Sequence, residues 1–69
     1  MPLTMAELGK QNIIKRVSGK TETKKFLESL GFVSGSKVTV ISQTGGNIIV
    51  NVKNSRVAIE KDIANKIII

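Results

Sequence analysis

The sequence predicts a mostly β fold, a small closed barrel of five short strands with one inserted helix. Three observations point there. The apolar content is dominated by Ile and Val, with Phe26 and Phe32 as the aromatics, and β-branched residues favour pleated, half-buried surfaces. Apolar stretches are short and separated by turn residues at Gly19, Gly35, Gly45-Gly46 and Asn54. A chain of 69 residues has room for one domain that buries only about 60% of its unfolded surface, and closing an Ile/Val sheet removes edges that would otherwise aggregate.

The chain opens on Thr4-Met5-Ala6-Glu7, the spacing of a capping box in which Thr4 accepts from the Glu7 amide and Glu7 reaches back. This predicts one turn, with Leu3 and Leu8 in the core and Gly9 redirecting the chain. Asn12 to Val17 reads as the first strand, although Ile13-Ile14 before Lys15-Arg16 leaves its inward face open. Ser18-Gly19-Lys20 ends it. Thr21 then caps a helix over Glu22 to Leu30, with Glu22 in the first turn where negative charge suits the dipole. Phe26, Leu27 and Leu30 share a face, and Gly31 as the residue after the cap lets Phe32 pack back on Leu27 in a Schellman stop. Gly35 suits the positive φ of a tight turn.

Lys37 to Ser42 and Asn47 to Lys53 alternate as antiparallel strands, joined by Thr44-Gly45-Gly46-Asn47, where paired glycines accept the positive φ of a hairpin turn. Lys53-Asn54-Ser55 makes the next turn, Asn tolerating left-handed geometry, and leads into a fourth strand, Arg56 to Ile59. Glu60 to Lys66 has room for one helical turn. Ile67-Ile68-Ile69 is an aggregation hazard unless paired, so it is expected to be the fifth strand, closing against the first. Residues 1–69 thus read as a single five-stranded SH3-like barrel. The rival OB-type barrel needs longer strands.

Charge and missing residue types narrow the function. The net charge of +6 is uneven: residues 1–9 carry −1, residues 10–25 carry +5 and residues 26–69 carry +2. A basic first half suits an acidic partner, whether protein, nucleic acid or anionic membrane. There is no His and no Cys, which removes imidazole and thiolate catalysis and the usual zinc sites. Glu60 and Asp62 are spaced to diverge, so no metal site is expected. The Gly45-Gly46 turn is followed by a strand, not by the helix a phosphate loop needs. Lys10, Lys15, Arg16, Lys20, Lys24 and Lys25 suit phosphates, but stacking platforms need exposed aromatics, and Phe26 and Phe32 are both assigned to the core. The same scarcity argues against a proline-rich peptide groove. No apolar run has the length of a membrane span and no signal sequence opens the chain, so a soluble, cytoplasmic protein is expected.

The stretch Lys24-Lys25-Phe26-Leu27, Leu30-Gly31-Phe32 and Val33-Ser34-Gly35-Ser36-Lys37-Val38 resembles the FeoA family, ferrous iron transport protein A. Ser34 stands where proline is common in the family, a departure that leaves the glycine turn intact. Val57-Ala58-Ile59, the polar turn after it and the closing isoleucines are also similar. The resemblance implies a cytosolic SH3-like accessory protein, not an enzyme and without a cofactor, whose partner is the membrane transporter FeoB with its cytosolic GTP-binding domain. The partner-binding surface expected on this reading is Arg16, Lys20, Lys24, Lys25 and Glu28. A variant of it has Arg16 or Arg56 supplied as an arginine finger to the GTPase. The barrel also resembles the C-terminal domain of iron-dependent repressors, but the DNA-binding and metal-binding parts of those proteins are absent here. The alternative of a different class is a small basic nucleic-acid-binding barrel, whose affinity would fall steeply with salt.

Overall fold

Alternating β-branched residues build the scaffold. In the computed structural model, which describes residues 1–69, the strands in chain order are β1 (Gln11–Ile13), β2 (Arg16–Val17), β3 (Lys37–Gln43), β4 (Asn47–Val52), β5 (Ser55–Glu60) and β6 (Ile67–Ile68). Helix α1 (Thr21–Ser29) lies between β2 and β3 in the chain, and α2 (Lys61–Ala64) between β5 and β6. One antiparallel sheet has the order β1-β3-β4-β5, and β2 pairs with β6 in a second. Val38, Val40, Ile48, Val50, Val52 and Ile59 point into a core of 14 apolar residues, whose largest fully buried side chain is Phe32. No polar or charged residue is buried, so the core carries no desolvation penalty to offset.

The expected first strand is divided, and six strands replace five. Ile13 is half-exposed while Ile14 is buried, and the chain changes sheet between them and Arg16. Ile14 N donates to Ser36 O at 2.9 Å and Gly35 N to Ile14 O at 2.7 Å, whereas Lys15 N already donates to Ile68 O at 2.8 Å. The closing strand pairs as expected with the first segment's second half, Arg16 facing Ile68 and Val17 facing Ile67. The two termini then meet: Ile69 N donates to Met1 O, and the Met1 ammonium donates to Ile69 O, both at 2.8 Å.

Several local expectations change. The first turn is a 3₁₀ turn over Leu3–Met5 without a side-chain cap, because the Thr4 hydroxyl donates instead to Asn65 Oδ1 at the end of α2. Leu8 is exposed, and Ala6 is buried in that segment. Helix α1 is capped by Lys20, whose carbonyl accepts the first helical bond from Lys24 N at 2.9 Å, which leaves Thr21 inside the helix. The connection after β3 spans four residues, since Gln43 pairs with Ile48, so it needs no two-residue primed turn; neither Gly45 nor Gly46 takes a positive φ. The left-handed pair is Lys53 (φ 49°) and Asn54 (φ 64°), between paired Val52 and Ser55, the signature of a type I′ turn.

The helix stop holds as read from the sequence. Phe32 N donates to Leu27 O and Gly31 N to Glu28 O, each at 2.9 Å, the bond pair of a Schellman motif. Gly31 has φ 104°, and a Cβ there would lie 3.3 Å from Lys53 Cγ. Gly31→Ala is expected to lose about 1–2 kcal/mol, from a positive φ that L-residues resist and from displacement of the Lys53 stem. Urea unfolding checks it: the midpoint falls while the slope stays constant.

Candidate functional site

Helix α1 carries most of the expected partner surface. Leu27 is buried and Thr23 and Leu30 half-buried, which fixes the inward face. At about 100° per residue, Lys20, Lys24 and Glu28 then fall in one line along a flank, and Lys25 on the crest. All four are exposed, as is Arg16. Arg16 belongs to a different element, β2, where it pairs opposite Ile68. Arg56 lies in the other sheet, on the outer face of β5 opposite Asn51, so the two arginines considered as fingers do not share a surface element. Lys10, just before β1, and Lys15, just before β2, are both exposed. No group of three or more Asp or Glu side chains comes together to suggest a metal site.

Two charges of α1, Lys20 and Glu28, are not arranged for the helix's own benefit, whereas Lys24 and Lys25 lie mid-helix at i, i+4 and i, i+3 spacing to Glu28. Lys20 occupies the N-cap without a side-chain hydrogen bond, and the last turn holds no basic residue. A cation at the N-terminus and Glu28 near the C-terminus both oppose the helix dipole, and Ser, Thr, Asp or Asn at the cap would be preferred by about 1 kcal/mol. Only Glu22 sits where the dipole favours it.

Phe26 is the residue the sequence reading misplaced. It is 50% exposed, because with Leu27 central to the inward face it lies about 100° round the helix, on the flank opposite Lys24. The signal was available in Thr23, four residues before Leu27, which competes with Phe26 for the inward position. One phenyl ring is therefore exposed on α1 itself, on the flank away from Lys20, Lys24 and Glu28.

The FeoA domain family model matches residues 1–69. The chain belongs to the FeoA family. Among FeoA relatives, a Methanocaldococcus jannaschii protein, named for Fe(2+) transport as protein A, is 34% identical over 68 residues, covering 99% of this chain and 83% of its own. The crystal structure of an iron uptake regulatory protein, FeoA, is similar at TM-score 0.89 and 26% identity, over 97% of this chain and 91% of that one. Stenotrophomonas maltophilia FeoA, described as a procaryotic SH3 domain protein and crystallised with zinc, gives TM-score 0.86 at 23% identity, over 99% and 87%. The fold is thus the SH3-like barrel of FeoA proteins, with the first strand split. Membership places the chain in ferrous iron transport, in the accessory role of that family. No helix is long and apolar enough to cross a membrane.

Proposed function

We propose that this FeoA-family chain docks on the cytosolic GTP-binding region of the FeoB transporter through α1, supporting the transporter's assembly or activity from the cytoplasm. The observation that carries this reading is the exposed line Lys20-Lys24-Glu28 with Lys25 beside it, on a helix whose cap and end charges work against its own stability. Lys20 and Glu28 break the local preferences of a helix, and such breaks gather at functional sites. Exposed Phe26 supplies an apolar, low-entropy contact of the kind enriched at interfaces, and the lysines steer an acidic partner toward it.

The test is binding of the purified chain to the cytosolic region of FeoB, with and without guanine nucleotide. Lys24→Glu combined with Lys25→Glu is expected to weaken binding about tenfold or more, with most of the change in the association rate and its salt dependence. Lys20→Asp separates docking from folding: the new N-cap raises helix stability by about 1 kcal/mol while removing a contact cation. Equal affinity of all three proteins would remove α1 as the docking element.

A further inference from the structure

The outer face of the four-stranded sheet holds a concave site remote in role from α1. Seven residues line a groove of about 640 Å³, none of them hydrophobic and none acidic. Strand register explains the lining: Gln11 pairs with Thr39 and Thr39 with Asn51, so their side chains form one row across β1, β3 and β4. Lys37 stands one step along β3, and Lys53 and Asn54 come from the turn that follows β4. Arg56 continues the same row on β5.

Lys53 is not the residue this turn would choose. Both central positions of a type I′ turn need positive φ, and Asn, Asp and Gly supply it while Lys resists. Yet Lys53 holds φ 49°, with its stem beside Gly31, where a Cβ would come within 3.3 Å of it. Gly31 therefore leaves room for the lysine that the turn strains to present. Backbone strain kept at a residue lining a concave polar site points to use of that side chain.

We propose that this groove binds a small phosphate-bearing anion, with Lys37 and Lys53 supplying charge and Gln11, Thr39, Asn51 and Asn54 supplying neutral hydrogen-bond groups. Two cations match an oxyanion of charge near −2, the state a phosphate monoester approaches at neutral pH. The groove is open and lined wholly by polar residues, unlike the apolar clefts that enclose larger ligands, so it suits a hydrated anion held at the surface. The lining offers no aromatic surface, so the ligand is recognised through phosphoryl groups and polar substituents and not through a stacked base.

The experiment is an amide NMR titration of the whole chain with inorganic pyrophosphate at constant ionic strength. Saturable shifts confined to Gln11, residues 36–39 and residues 51–54 support the site. Lys37→Ala and Lys53→Asn should each weaken binding at least about fivefold, while Lys24→Ala combined with Lys25→Ala leaves it unchanged. Lys53→Asn suits the turn better than lysine, so its urea midpoint should be equal or higher, which excludes unfolding as the cause of lost binding. Non-saturating shifts spread over α1 as well, or affinity indifferent to Lys37 and Lys53, would overturn the proposal. A third arm uses vesicles carrying phosphatidic acid at equal phosphate concentration. A response to vesicles without one to pyrophosphate would replace the small-molecule ligand with a lipid headgroup and overturn the proposal as stated.

Discussion

Phe32→Ala is expected to leave the chain largely unfolded at room temperature. Phe32 has 0% exposure and is the largest of the fully buried side chains. It sits immediately after the helix stop, where its amide closes the Schellman bond to Leu27 O, so its ring is held by the same motif that joins α1 to the sheet. Truncating a buried phenylalanine costs about 3–5 kcal/mol. At about 0.05–0.15 kcal/mol per residue, a domain of 69 residues has little beyond that to lose. Phe26→Ala is the matched control, since removing a half-exposed ring of the same type should cost about 1 kcal/mol or less, consistent with partial burial alone. Thermal unfolding followed by circular dichroism should show a cooperative transition for Phe26→Ala and none, or one below room temperature, for Phe32→Ala. Similar melting of the two variants would mean that the core is not centred on Phe32.

The elements legible in the sequence were those fixed by local rules. The Leu27-Gly31-Phe32 stop, the alternation of Val38 and Val40 against Thr39, and the pairing need of Ile67-Ile68 each follow from neighbours a few residues away. The split of the first strand was not legible, because it depends on Ile14 meeting Ser36 and Gly35, partners some twenty residues distant that adjacency of Ile13 and Ile14 does not reveal. Thr4 was misread for the same reason: its hydroxyl finds Asn65, a partner brought close only by the closed fold. Phe26 failed differently, as helical spacing allowed two inward faces and burial of Thr23 chose between them. For the candidate surface, the basic composition of residues 10–25 was visible, and so was the division between Arg16 on a strand and Lys24 and Lys25 on the helix, but Lys20 as the cap was not, since local preference favours Thr21 there. The polar groove was invisible altogether, since its residues come from the approach to β3 and from three strands and a turn. Lys20 and Lys53 are the places where local preference gives the wrong residue, and both lie on surfaces assigned here to binding.

Removing residues 67–69 is expected to abolish the native fold, with a larger effect than any single substitution. Ile67 is 0% exposed and Ile69 7%, and burying each side chain is worth about 1.5–3 kcal/mol. The deletion also strips backbone partners: Lys15 N loses Ile68 O, and the Met1 ammonium and Met1 O lose both bonds to Ile69. β2 is left without its only strand partner, exposing a second edge in a sequence already rich in β-branched residues. The combined loss approaches or exceeds the about 3–10 kcal/mol expected for a domain of this size, so the truncated chain should show collapsed amide dispersion in NMR and form aggregates on concentration. Ile68→Thr tests whether burial or pairing dominates. Ile68 is half-buried and threonine keeps both the backbone bonds and the strand preference, so this variant should stay folded and lose about 1 kcal/mol or less. A folded truncated chain would show that the four-stranded sheet holds the core unaided, and that closure by β6 serves protection of edges and not stability.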